Sequence, residues 1–140
     1  FAACKAQPVF QGYDLSKPTK FVKLSKELNE ISGLEYLSNR HFLAVQDEVG
    51  TIYRISKRSG KITLKIPFGK KGDYEGVAKI DKSYFVLRSD GTLFEIINGK
   101  LQNKYEFKHH KNMDFEGLCY DGLKNRLLVA CKEIYSSNRI

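Results

Sequence analysis

The chain has 140 residues, the length of one domain, and its composition of 41% hydrophobic, 12% aromatic and 29% charged residues is globular. Twenty-four Lys and Arg against 16 Asp and Glu give a net charge of +8. This balance favours acidic partners, but the basic residues are scattered, so we expect a solvated surface and no nucleic-acid partner. No run in the sequence approaches the roughly 18 apolar residues that a membrane-spanning helix requires.

The first residues resemble the end of a bacterial lipoprotein signal. In FAAC, small residues precede Cys4 and polar KAQ follows it, as around a cysteine that becomes lipidated. The charged start and apolar core of a signal peptide are absent. We expect residues 1–18 to be a tether or linker that anchors the protein to a bacterial membrane through Cys4. The alternative is a disordered N-terminus with an exposed thiol. Residues 19–24 then resemble an outer strand.

Three glycines mark an internal repeat, because Gly33, Gly76 and Gly117 are separated by 43 and 41 residues. An acidic residue stands three positions before each glycine, and an acidic residue or serine stands directly before it. The first column holds Glu30, Asp73 and Asp114, and the second holds Ser32, Glu75 and Glu116. A period of about 40 to 45 residues is typical of repeat architectures.

Each unit consists of short runs rich in Val, Ile, Tyr, Phe and Leu, broken by Gly, Asp, Asn and Ser, which is the pattern of strands and turns. The segment SDGT predicts a tight hairpin turn with Gly91 at positive φ. Four short strands in about 42 residues are one blade of a β-propeller. We therefore predict an all-β partial propeller over residues 19–140. Its blades lie at about 31–68, 74–108 and 115–140, the last incomplete, which makes about two and a half blades.

Cys119 and Cys131 are predicted to be free, buried thiols. If CYDGLKNRLL is a hairpin, Cys119 faces about Leu128 and Cys131 faces about Glu116. The two sulfurs then lie about 10 Å apart along the strands, which is too far for a disulfide. No paired C-x-x-C pattern indicates a metal site at these cysteines.

Six ordered blocks over roughly residues 24–132 resemble the SdiA-regulated family of bacterial envelope proteins. The blocks are EISGL, VQDEVGTIYRI, PFGKKGDYEGVA, FVLRSDGTLFEI, DFEGLCYD and LLVACK. The resemblance implies a six-bladed propeller, exported or attached as a lipoprotein in the bacterial cell envelope, of which this chain would be an N-terminal part. It also implies a fold related to phytase-like and esterase-like propellers. It implies no specific biochemical activity.

Carboxylates are expected to gather at one end of the propeller axis, because the first strand of each blade lines the central channel. Such acids repel one another unless a cation or hydrogen bonds hold them, and Ca²⁺ accepts six to eight oxygen ligands in loose geometry. The sequence thus predicts a Ca²⁺ site at the channel mouth. The alternative is structural, with the carboxylates accepting backbone N–H bonds at the blade turns. The candidate ligands are Asp47, Glu48, Asp73, Glu75, Asp114 and Glu116.

Arg88 is a candidate anchor for a phosphate or carboxylate ligand, and the alternative is an ion pair with Asp73 or Glu75.

Two candidate functions follow from these residues and from the family resemblance. The first, which we expect, is an envelope-anchored binding or scaffold module for a small-molecule or protein ligand, with Ca²⁺ as a structural or bridging ion. The second is a Ca²⁺-dependent phytase-like or esterase-like hydrolase, by fold analogy alone. The sequence contains no nucleophile elbow, phosphate loop or metalloprotease motif.

Overall fold

The computed structural model describes residues 9–10, 13–14, 17–107 and 112–134. Within these ranges the chain forms strands, turns and one short 3₁₀ helix, Lys26–Leu28, and contains no α-helix. The strands are β1 Val9–Phe10, β2 Tyr13–Asp14, β3 Ile31–Tyr36, β4 His41–Gln46, β5 Val49–Ser56, β6 Ile62–Lys71, β7 Tyr74–Ile80, β8 Ser83–Arg88, β9 Leu93–Ile97, β10 Lys100–Tyr105, β11 Met113–Asp121 and β12 Arg126–Ile134.

The strands form two antiparallel four-stranded sheets, which we call sheet 1 (β3 to β6) and sheet 2 (β7 to β10), and a two-stranded sheet 3 (β11 and β12). In each four-stranded sheet the strands pair in sequence order, as in a propeller blade. The short β1 and β2 pair separately. The all-β fold built from repeated four-strand modules, predicted from the glycine period, is confirmed.

Sheets 1 and 2 pack face to face through one hydrophobic core. Alternate residues of β4 and β5 point to this core, so Leu43, Val45 and Ile52 are buried there. Three aromatic rings at its centre contact one another, with Phe68 5.1 Å from Tyr74 and 5.5 Å from Phe94 between ring centroids. The core fixes the position of sheet 2 relative to sheet 1.

The first strands of the sheets, β3, β7 and β11, lie side by side, and two repeat glycines permit this close approach. A Cβ on Gly33 would lie 2.9 Å from the Cα of Gly76. A Cβ on Gly76 would lie 2.7 Å from the Cβ of Leu118 in β11. Gly33 and Gly76 are therefore explained by the packing of the first strands of neighbouring sheets.

A β-bulge occurs at the same place in each first strand. The residue before each repeat glycine is the extra one, because pairing passes from Ile31 to Gly33, from Tyr74 to Gly76 and from Phe115 to Gly117. A bulge redirects the side chain of the extra residue. The bulged residues are Ser32, Glu75 and Glu116.

Residues 19–24 form no strand, contrary to the prediction. They run past the turn between β5 and β6, where a Cβ on Gly60 would lie 2.6 Å from the carbonyl oxygen of Lys23 and from Val22 Cγ1. The segment is held by this contact rather than by pairing along a sheet edge.

The predicted turn at Gly91 is correct, since its φ is 81°.

The two cysteines are free, as predicted, but both are exposed rather than buried. Cys119 pairs with Leu128, as expected, whereas Cys131 pairs with Phe115 instead of Glu116 because Glu116 is the bulged residue. The thiols are exposed because sheet 3 has two strands in the described residues, so less of its surface is covered than in the four-stranded sheets. Cys4 lies outside the described residues.

Replacing Gly76 by alanine tests the close approach of the inner strands. The new methyl would overlap Leu118, so the strands must separate, and we expect a loss of about 1–3 kcal/mol in the free energy of unfolding, measured with urea. Gly122→Ala is the control, because its Cβ would make an ordinary 3.5 Å contact with Tyr120 and should change stability by less than about 0.5 kcal/mol. Equal stability of the two variants would contradict the packing role of Gly76.

Candidate acidic site

A main-chain hydrogen-bond circuit joins each sheet to the next at the start of the first strands. In sheet 1, the N–H of Asp47 donates to the carbonyl of Glu30 at 3.4 Å, and the carbonyl of Asp47 accepts from the N–H of Tyr74 at 3.1 Å. Sheet 2 repeats this with Ser89, which donates to the Asp73 carbonyl at 2.8 Å. The carbonyl of Ser89 accepts from Phe115 at 2.9 Å. The acceptors are the main-chain carbonyls of Glu30 and Asp73, whereas the structural alternative expected the carboxylates to accept the backbone N–H bonds.

Four of the predicted acids interact electrostatically across sheets 2 and 3. Burial, hydrogen bonding to Asp73 and repulsion from Asp73, Glu116 and Asp114 raise the pKa of Glu75 to about 7. Glu75 is the bulged residue of β7, and its carboxylate interacts electrostatically with Asp114 and Glu116 of β11. These carboxylates, with Asp47 and Glu48 at the turn after β4, are called the acidic end: Asp47, Glu48, Asp73, Glu75, Asp114 and Glu116.

Asp47 carries a buried carboxylate oxygen that lacks a partner. Its Oδ1 is inaccessible to solvent and has no hydrogen bond within the described residues. Asp47 lines an open cavity of about 320 Å³ together with Glu48, Asp73, Lys71 and Gly72. An unpartnered buried anionic oxygen is costly, so this cavity is the part of the acidic end best suited to receive a positively charged group.

The acids do not form a finished metal site. Within the described ranges, no group of three or more His, Cys, Asp or Glu side chains is arranged to hold a metal ion. On sheet 3, Lys132 Nζ forms an ion pair with Glu116 and lies 3.9 Å from Asp114 Oδ2. Among the described residues, no Lys or Arg forms an ion pair with Asp47, Glu48 or Asp73, so the two halves of the acidic end differ.

Arg88 does not pair with Asp73 or Glu75. Its guanidinium binds Asp90, with Nε 3.0 Å from Oδ1 and a terminal nitrogen 2.6 Å from Oδ2, and it also donates to Thr92 Oγ1 at 3.1 Å. The turn between β8 and β9 brings Asp90 to Arg88, and this ion pair lowers the pKa of Asp90 to about 2 against the opposing effect of burial. A bidentate internal partner occupies the group that was predicted to anchor an anion.

The roles of two residues at this end were not predicted from the sequence. Lys132 pairs with the acids of β11. Predicting this ion pair would have required knowledge of the bulged pairing between β11 and β12. Ser32 stands in the acidic column, and its hydroxyl donates to the carbonyl of Tyr74 at 2.5 Å, linking sheets 1 and 2. The sequence signal for a different role was that Ser32 stands where the other two repeats have Glu75 and Glu116.

No helix in the described part of the chain is long and apolar enough to cross a membrane. No curated protein sequence matches the chain. Among solved structures, the crystal structure of the computationally designed Ika4 protein is 16% identical, with a TM-score of 0.49, over 85% of this chain and 82% of that chain. A likeness at this score carries no argument about function.

The sequence profile described as SdiA-regulated matches residues 9–134, which is most of the chain. This range contains all three repeat glycines and every member of the acidic end. The chain belongs to the SdiA-regulated family.

Proposed function

We propose that the chain is part of a binding module whose acidic end recognises a cationic ligand. The observation that carries the proposal is the buried, unpartnered Oδ1 of Asp47 in a cavity shared with Glu48 and Asp73. A positive group in that cavity would supply the missing partner. The surrounding carboxylates add a local negative potential within a chain of net charge +8.

Two kinds of cation have the chemistry that this cavity requires. Ca²⁺ would take carboxylate oxygens from Asp47 and Asp73 and complete its coordination with water or main-chain oxygens, as weak extracellular sites do. An organic ammonium group would instead donate hydrogen bonds to the same oxygens and form an ion pair with them. The described acids form no complete chelate, so both ions belong in the test.

We also propose that the protein acts in the bacterial cell envelope, tethered by a lipid on Cys4. The FAAC motif supports this proposal. A binding module with its acidic end free in solution would fit such an anchored position.

The hydrolase alternative has no specific observation in its favour, because the proposed anion anchor Arg88 forms an ion pair with Asp90.

Asp47→Asn tests the cation site with little change in side-chain shape. We expect the affinity for the ion that binds the wild type to fall by at least about tenfold, because a charge-assisted contact is lost. Isothermal titration with CaCl₂ and, separately, with putrescine distinguishes the metal from the amine. Asp81→Asn is the matched control, since Asp81 lies in the turn between β7 and β8, where its φ of 48° suits asparagine.

The proposal is overturned if the wild type binds neither cation in the millimolar range, or if Asp47→Asn and Asp81→Asn bind equally well. Circular dichroism of both variants shows whether the fold is retained.

Glu75→Gln tests the electrostatic coupling of the acidic end. Since the pKa of Glu75 is raised to about 7 from an ordinary 4.5, the native state holds a proton that the unfolded chain releases. This stabilising contribution is complete below pH 4.5 and is lost as the pH rises through about 7. We expect the variant to lose less stability than the wild type over this interval in urea unfolding, and to be the more stable protein at about pH 8. Parallel stability curves would contradict the coupling.

A further inference from the structure

A second cavity, of about 550 Å³, lies on the face of sheet 1 that points away from sheet 2. On this face Tyr53 packs in a small core with Leu28, Ala44 and Ile55, whereas the adjacent Ile52 belongs to the core between the sheets. The cavity is lined by the end of β4, the first part of β5, the middle of β6 and the segment around the 3₁₀ helix. Its volume is in the range of small-molecule sites.

The repeat shows why sheet 1 has an open cavity here. Gln46 pairs with Ile31 in sheet 1, and Arg88 pairs with Tyr74 at the same register position of sheet 2. In sheet 2, the Arg88 side chain covers Phe94, 5.5 Å from its ring centroid, and bonds to Asp90 and Thr92. Gln46 is shorter and bends back toward its own turn, so the equivalent space in sheet 1 stays open.

Gln46 lines this cavity and carries an amide donor that is unused within the described residues. The side chain is 8% exposed, and its Oε1 accepts from the N–H groups of Glu48 at 2.5 Å and Val49 at 2.8 Å. These two bonds fix the amide orientation. The Nε2 group has no hydrogen-bond acceptor among the described residues, and Gln46 lines the cavity. An amide donor that lines a cavity and has no acceptor within the protein is available to a ligand that supplies one.

Charges of both signs surround that donor. Glu27 is neutralised by Lys65, whose Nζ lies 2.5 Å from Oε1 and 2.7 Å from Oε2. Burial, followed by the nearby Glu27 carboxylate, raises the pKa of Tyr53, so its hydroxyl stays protonated and neutral. This leaves Glu30 and Glu48 as acceptors and Lys26 as a cation, all of which line the cavity.

We propose that this cavity binds a small zwitterion, such as an amino acid or a short peptide. The carboxylate of the ligand would accept a hydrogen bond from Gln46 Nε2 and form an ion pair with Lys26. The ammonium group of the ligand would form ion pairs with Glu30 and Glu48. Val49 and Pro67 supply apolar lining for a short side chain. The site is distinct from the cavity at Asp47, because the two linings share only Glu48.

The test uses isothermal titration of the whole chain with L-alanine, L-alanyl-L-alanine, its N-acetyl derivative and its C-terminal amide. Free L-alanine and the free dipeptide separate an amino-acid site from a peptide site. We expect at least one of them to bind. Blocking either end of the dipeptide should weaken or abolish binding, because each removes one charge that the cavity matches. Failure of both free compounds to bind, or equal binding of free and blocked dipeptides, overturns the proposal.

Gln46→Glu is the sharpest variant, because the new carboxylate keeps an oxygen for the N–H groups of Glu48 and Val49 while the donor is lost. We expect affinity for the free compound to fall by at least about tenfold. Lys61→Gln is the control, since Lys61 is exposed and lies outside the cavity lining. Thermal unfolding checks that Gln46→Glu is folded, and a folded variant that binds like the control contradicts the role of Gln46.

The outcome is independent of the cation proposal. Asp73→Asn should leave zwitterion binding unchanged, because Asp73 lines only the smaller of the two cavities. Glu48 lines both cavities and is therefore left intact in every variant.

Discussion

The close approach of the first strands is the constraint on which the remaining structure depends. Gly33 lies against Gly76, and Gly76 against Leu118, so neighbouring sheets meet backbone to backbone. At this distance main-chain groups of one sheet reach those of the next, and the circuit through Asp47 and Ser89 forms. Unpaired N–H and C=O groups at a buried sheet edge would otherwise be costly. Packing and hydrogen bonding therefore require the same geometry.

That geometry also concentrates negative charge. A bulge before each repeat glycine redirects one side chain, and in sheets 2 and 3 this side chain is a carboxylate. The aromatic core of Phe68, Tyr74 and Phe94 holds the strands in place beneath the acids, so the carboxylates have limited freedom to separate. Burial, the hydrogen bond with Asp73 and the repulsion between the carboxylates together raise the pKa of Glu75. A bound cation would relieve this repulsion, which is a physical reason for such a rigid scaffold to carry an acidic end.

Differences between the repeats are as informative as their agreement. Arg88 and Gln46 stand at the same register position, yet Arg88 fills its surroundings and Gln46 leaves a cavity open. Ser32 stands in place of an acid, and its hydroxyl donates a hydrogen bond to the main chain of the neighbouring sheet. The shared residues maintain the strand packing, whereas the departures create distinct chemical surroundings on one backbone plan. Function on a repeated fold depends on such local asymmetry.

The amino-acid sequence was sufficient for the repeated sheet architecture and the turn at Gly91. The alternation of apolar and polar residues and the turn residues act over a few neighbours, and the glycine spacing shows that this local pattern is repeated. It also predicted that acids of different blades gather at one end of the propeller axis, and Glu75 does interact electrostatically with Asp114 and Glu116 of sheet 3. It did not predict the partner of Arg88, the exposure of Cys131 or the unpaired amide nitrogen of Gln46. Those depend on bulged registers, on which side chain a turn brings within reach and on how much of each sheet is covered. Such relations exist only once the sheets are packed, so tertiary structure alone decided them.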